Sequence, residues 1–273
     1  MSNNTNFIDG RARHGAGVYG GDLEEELLTL GVDTSTERRS VALMRGGRVL
    51  AESSSGLREG GSANLLADID GVLVAAGVKL KEIGLYAAAV GPGSFTGLRA
   101  GLATVKGLAL TTGRPAVGVQ TLHALAYCVR PALRVVSLIP AGRGEVFAQL
   151  LSVSGEGVVK ELESPTHLPP ARLLERMKGL GGGVKWTGVG AVKFLELIRE
   201  TAESAGVGFV EPGAHGVKDV EGWSVVPAAE ALAGSVAEMA RAAYASGASA
   251  EGLTAVYVRP SDAELKGLCH AQN

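Results

Sequence analysis

The chain has little of what would mark a secreted, membrane-spanning or nucleic-acid-gripping protein. Its 273 residues include two cysteines, Cys128 and Cys269, far apart and in no metal-ligand or redox spacing. They read as two reduced thiols of a cytoplasmic protein. Charge of either sign is not in excess: Lys and Arg number 26, Asp and Glu 28, for a formal net charge of −2. No basic surplus is available to neutralise phosphates, and no Lys/Arg cluster is interleaved with aromatics, which excludes a protein that grips nucleic acid unaided. Long apolar runs are missing as well, so no membrane span is expected. The opening, MSNNTNFIDGRARHGAGVYGGDLEEE, lacks the apolar core of a secretory signal. The five histidines, His14, His123, His167, His215 and His270, are scattered without short ligand spacing and read as surface or capped residues.

What is present is apolar content: 46% of the residues are hydrophobic, enough for one large core or two smaller ones. Residues 1–26 lack apolar periodicity and read as a flexible extension. Order is expected to begin at Leu27, with a strand to Val32, a polar hairpin (Asp33 to Arg39), a strand from Ser40 to Met44, a Gly46-Gly47 turn and a third strand from Arg48. Leu65, Leu66, Ile69, Leu73 and Val74 fall at helical spacing, with Ser62 as a candidate N-cap and Gly77 as a stop. LYAAAV reads as a buried parallel strand, followed by a helix ending near Gly113 and a strand in PAVGVQTL. The order βββαβαβ suggests a mixed sheet covered by helices. A weaker echo follows: strands at Arg134–Ile139 and Glu145–Val153, a third after a Gly turn, the helix LPPARLLERMKG, the strand VKWTGVG and the helix AVKFLELIRETAESAG. Two halves with one element order imply a duplicated domain. A last helix ends at Gly247, and LTAVYV supplies a short strand. The expected division is an N-terminal lobe at 27–130, a C-terminal lobe at 131–260 and a tail at 261–273.

The stretch GPGSFTGLRAGLATVK, Gly91 to Lys106, is the most informative. A glycine-rich turn entering a helix suggests a phosphate cradle. Counting positions removes that reading. The P-loop needs Gly-Lys-Ser/Thr where Gly97 is followed by Leu98, and the dinucleotide loop needs a glycine where Thr96 stands. A nucleophile elbow needs glycines two residues either side of Ser94, where Pro92 and Thr96 are found. What remains is a sharp turn, a helix capped by Ser94 or Thr96, and small residues at Gly97, Ala100, Gly101, Ala103, Thr104 and Gly107. Interior glycines cost a helix about 0.5–1 kcal/mol each relative to alanine. Their presence points to a close neighbour, either the chain's own sheet or a partner's helix, with Phe95 as the aromatic anchor for a partner.

GPGSFTGLRAGLATVKGLAL after LYAAAV resembles the signature of the bacterial TsaB (YeaZ) family. LGVDTSTERRSVAL, RGEVFAQL, WTGVGA and AVYVRPSDAELK resemble further family segments, so the likeness runs from about Leu28 to Lys266. It implies an α/β actin-like, Hsp70-like and sugar-kinase (ASKHA) fold of two RNase H-like lobes with mixed sheets. It also implies a role in making N6-threonylcarbamoyladenosine (t6A) in tRNA, as a non-catalytic subunit supporting the catalytic paralogue TsaD together with the ATPase TsaE. ATP would then be used by the complex rather than by this chain, with no cofactor tightly bound here. tRNA would be reached only through the complex, and the chain alone could form a homodimer.

The resemblance places the partner interface on Asn64, Leu65, Asp68, Gly93, Ser94, Phe95, Thr96, Gly97, Arg99, Ala100, Gly101 and Thr104. A bulky residue at Gly101 is expected to weaken docking while leaving the monomer folded. Asn64 and Asp68 read equally as solvent-facing. Asp33, Thr34, Ser35 and Thr36 occupy the hairpin that holds phosphate in ATP-using members of this fold; they read either as a vestigial nucleotide loop or as satisfiers of turn amides. The catalytic paralogues bind a metal through paired histidines on their first long helix, and REGGSANLLADI contains none, with Gly60 or Gly61 where many TsaB members keep one His. Pro140 stands where the family commonly has an Asp, beside Arg143 and Glu145, which shape a turn or form an exposed ion pair. The competing readings are an ATP-dependent kinase or carbamoyltransferase of the same fold and, more distantly, a metal-dependent glycoprotease.

Overall fold

The computed structural model describes residues 26–56, 64–210, 221–227, 229, 231–247 and 253–258. The expected N-terminal extension, the Ser62 cap, Gly60 and Gly61, the tail at 261–273, and His14, His215, Cys269 and His270 lie outside the described residues. Within them, two mixed sheets are built to one plan. β1 (Leu28–Asp33), β2 (Arg38–Arg45) and β3 (Arg48–Gly56) form an antiparallel meander, turned between β2 and β3 at Gly46, φ 52°. After α1 (Leu65–Ala76), β4 (Leu85–Gly91) enters parallel to β1. After α2 (Phe95–Thr112), β5 (Ala116–Gln120) enters parallel to β4. The order is β3-β2-β1-β4-β5. β1 and β4 are buried along their whole length, as continuous apolar runs covered on both faces should be.

α1 and α2 lie on the same face of this sheet. Leu65, Ile69, Val72 and Leu73 of α1 and Leu102, Val105 and Ala109 of α2 share one core with Leu30, Val32, Tyr86 and Ala88. Both helices stop at left-handed glycines, Gly77 and Gly113, each at φ 65°. The inward stripe of α1 differs from the expected one. Leu66 and Val74 are 60% and 72% exposed, and Val72 takes the core position instead.

The second sheet repeats the plan with β6 (Ala132–Gly142) and β7 (Glu145–Val153) as a hairpin, and with β8 (Val159–Glu161) and β9 (Thr166–Leu168) both pairing β7. β10 (Val184–Thr187) runs parallel to β6, and β12 (Trp223–Val226) parallel to β10, with β11 (Phe209–Val210) at the edge. α4 (Pro170–Met177), α5 (Val189–Lys193) and α6 (Leu195–Ser204) cover one face around Trp186 and Trp223, whose rings lie 5.0 Å apart. Such a pair contributes about 0.5–1.5 kcal/mol beyond its buried area.

Several elements depart from expectation. The strand expected in PAVGVQTL ends at Gln120, and α3 (Thr121–Cys128) begins at once, packed on β4 and β5 of one sheet and β6, β7 and β8 of the other. The helix expected across 191–206 begins earlier, at Val189, and breaks at Phe194 into α5 and α6. α7 (Ala233–Ala245) packs on β1, β2, β4 and β5, so the chain has left the second lobe well before the boundary expected at 260. Ser40 Oγ accepts hydrogen bonds from the Leu232 and Ala233 amides at 3.2 and 3.1 Å. Gly31 is required beneath α7, because a methyl there would stand 2.3 Å from the Ala233 carbonyl oxygen. Residues 253–258, expected to hold a strand, hold none; Val256 N donates to Val90 O at 2.7 Å and Leu253 joins the first core.

Candidate functional site

The hairpin between β1 and β2 and the first turns of α2 form one closed unit. Asp33 Oδ1 accepts from Ser35 N at 2.9 Å and from Ser35 Oγ at 2.5 Å. Thr34 Oγ1 donates to Gly97 O at 2.8 Å, Ser94 N donates to Ser35 O at 2.7 Å, and Thr36 Oγ1 donates to Arg38 O at 3.0 Å. All four side chains of the loop are therefore engaged by the chain itself. Burial pushes the Asp33 carboxyl above the usual carboxylate range, and the two bonds from Ser35 pull it back down.

The glycines of α2 explain how the helix comes so near. A methyl on Gly93 would stand 2.2 Å from Ser35 O, on Gly97 2.1 Å from Thr34 O, and on Gly101 2.2 Å from Thr34 Oγ1. Ser94 caps the helix through Gly97 N at 3.2 Å. This row thus serves an intramolecular contact. The expectation that a bulky residue at Gly101 would spare the monomer is corrected: that position is filled by the hairpin. Leu65, Gly97 and Gly101 are buried within the lobe, and Asp68 is ion-paired to the buried Arg39.

The other faces of α1 and α2 are open. Thr96, Arg99, Ala103 and Gly107 are exposed, Ala100 and Thr104 half-buried, and Leu110 is 83% exposed. A methyl on Gly107 or on Gly71 of α1 would meet nothing within 4 Å. On α1, Leu66, Val74 and Asn64 are exposed as well. The sequence marks Ala103 and Gly107 among the small residues, and Leu66 and Val74 as part of the inward stripe of α1; it does not single out Leu110. Phe95 is 39% exposed, with the Arg99 guanidinium 3.9 Å above its ring and Tyr257 at 5.6 Å, so the chain's own later segment partly covers the expected anchor.

The second lobe's hairpin carries Pro140 in register with Val146, and Arg143 at φ 52°. Glu145 pairs with His167 at 3.0 Å, and His123 with Glu161 at 3.2 Å. The Cys128 thiol lies 3.2 Å from Ser235 Oγ, and burial raises its pKa. Among the described residues, no three or more His, Cys, Asp or Glu side chains gather into a metal-binding group, and no helix is long and apolar enough to cross a membrane.

Two sheets of one topology, with a helix packed between them and a β-hairpin at the head of each, define the class: the two-lobed actin-like, Hsp70-like and sugar-kinase fold. Residues 60–204 match the family model described as TsaD, tRNA N6-adenosine threonylcarbamoyltransferase. The Escherichia coli tRNA threonylcarbamoyladenosine biosynthesis protein TsaB is 36% identical over 164 residues, 59% of this chain and 70% of that protein. The Haemophilus influenzae TsaB is 34% identical over 126 residues, 45% of this chain and 53% of that protein, so the matched part spans about half of that relative. A Pseudomonas aeruginosa crystal structure, described as similar to the peptidase YeaZ, superposes with a TM-score of 0.67 at 28% identity, covering 85% of this chain and all of that one. The chain belongs to the TsaB (YeaZ) family.

Proposed function

We propose that this chain is a non-catalytic, cytoplasmic subunit of the machinery that makes t6A in tRNA. It docks onto a TsaD-type catalytic paralogue and works with a TsaE-type ATPase; it forms a homodimer through the same face when alone. The names of its relatives support the pathway, and the match to the TsaD model supports kinship with the catalytic subunit. The observation that carries the docking role is the outward face of α1 and α2, where Leu66, Val74 and Leu110 stand 60%, 72% and 83% exposed around small residues. Close helix approach needs small residues, and contiguous exposed apolar surface marks an interaction site. The side chains of Asp33 to Thr36 bond to one another, to α2 and to the start of β2, which supports reading this hairpin as structural. ATP is then handled by the complex, and tRNA is met through it.

The test is reconstitution of t6A formation with the TsaD- and TsaE-type proteins of the same source. Omitting this chain should abolish modification; undiminished modification refutes the reading. Leu110→Asp should weaken TsaD docking by about tenfold or more, with thermal stability unchanged, because it removes an exposed contact and no core packing.

A further inference from the structure

Residues 253–258 run from the first lobe onto the second and cross the head of α2 on the way. Leu253 is buried in the first core, with Ala255 and Val256 packed against it. Val258 packs instead on the cluster of Leu122, Leu125, Ile139 and Phe147, which joins α3 to the second sheet. Between these ends the segment lies against the exit of β4. Val256 N donates to Val90 O at 2.7 Å, and a methyl on Gly91 would stand 2.8 Å from Val256 O. The next side chain, Tyr257, lies on Phe95, the first residue of α2, with ring centroids 5.6 Å apart. The Arg99 guanidinium sits 3.9 Å from the centroid of the same Phe95 ring.

Phe95 is also where the outward face of α2 starts. Phe95, Arg99, Ala103, Lys106 and Leu110 recur at helical spacing and are all exposed, so they form one stripe along the helix. A partner laid along that stripe reaches Phe95 and meets Tyr257 there. Both rings stay partly open, Phe95 at 39% and Tyr257 at 47% exposure, so their contact is made at the surface and not in the core. Among the described residues, the bond to Val90 is the one hydrogen bond the segment makes. A contact of this kind can be exchanged for another. An aromatic pair shifts an equilibrium by about two- to tenfold, and an exposed aromatic buried at the centre of an interface returns at least as much.

The geometry points to an autoinhibitory strap: Tyr257 holds Phe95 in the free chain, and the docking protein takes Phe95 by displacing it. This inference rests on the docking role proposed above. Only molecules with the strap lifted present the whole stripe, so the observed affinity is lowered by the fraction in which it is lifted. Calorimetric titration of the full chain with the TsaD-type protein of the same source is the test. Tyr257→Ala should tighten binding by about three- to tenfold. Phe95→Ala should weaken it, and in that background Tyr257→Ala should change affinity by less than about twofold, because no anchor is left to uncover. Unchanged or weaker binding by Tyr257→Ala, or an equal gain in both backgrounds, overturns the strap. Leu110→Asp keeps the two readings apart, since it alters the stripe about four helical turns from Phe95. If Leu110→Asp weakens docking and Tyr257→Ala does not tighten it, the docking role stands and the strap falls. If neither Leu110→Asp nor Phe95→Ala weakens docking, the docking role falls and the strap falls with it.

Discussion

In each half of the molecule a helix leaves a parallel strand through a glycine at strongly positive φ, Gly91 at 107° and Gly188 at 98°. Beyond that exit the two halves part ways. In the first half α2 runs for 18 residues, and its glycines let it lie against the neighbouring hairpin. In the second half the glycines lie against β6 itself: a methyl on Gly188 would stand 2.3 Å from Leu138 O, and one on Gly190 2.7 Å from Leu138 Cγ. There the helix stops after 5 residues and restarts to set Ile198 and Ala202 against the tryptophan core. The same glycine exit thus serves two kinds of contact. Along the hairpin the helix continues for 18 residues and keeps one face exposed; along β6 it breaks at Phe194, and its second part covers the tryptophan core.

The largest effect expected comes from separating the two faces of α2. Gly101→Leu drives a side chain into Thr34 and should cost about 3 kcal/mol or more, from over-packing a site that cannot yield. Gly107→Leu should leave stability unchanged or raise it by up to about 1 kcal/mol by removing a helix glycine, while weakening docking. Urea unfolding of the pair is the measurement; equal midpoints would break the distinction between inward and outward glycines.

A smaller effect is expected at α3, the element common to both halves. Burial holds the His123 imidazole below its ordinary pKa, while the Glu161 carboxylate draws it back up. Because the unfolded chain takes up the proton more readily, this contribution is fully present above about pH 6.5 and is lost as pH falls through the depressed folded value. Wild-type melting temperature should therefore fall on acidification below about pH 6.5 more steeply than that of His123→Gln. Parallel curves would remove His123 from the account.

The smallest concerns Asp33. Its folded pKa is raised, so its ionised form costs stability at neutral pH, and the cost fades as pH falls toward the unfolded value of about 4. Asp33→Asn keeps an oxygen to accept from Ser35 and should melt at or slightly above wild type near neutrality, with the gap closing toward about pH 4. A clear loss at neutral pH would show that the charge itself is needed.

Most strands and helices as far as β10 were legible because their apolar periods and glycine stops are local; β9, β11 and β12 were not foreseen, and the strand expected in LTAVYV does not form. α3 was not legible either. It follows β5 with no breaker and is buried on nearly every side between two sheets, so TLHALAYC shows no amphipathic phase. The direction of the α2 glycines was hidden for a related reason. Small residues line both its inner row, at 93, 97 and 101, and its outer row, at 103 and 107, and hydropathy does not tell the rows apart; only the position of Thr34 and Ser35 does.

The return of α7 to the first sheet makes the second lobe, in effect, an insertion into the first. During synthesis, β1, β2, β4 and β5 leave the ribosome well ahead of the helix that covers their second face. Ala87, Ala89, Val117 and Val119 wait for Val236 and Ala240 of that helix. The first-born half is therefore among the last to close: α3 covers part of this face through Ala124, and the rest stays uncovered until translation has passed residue 245.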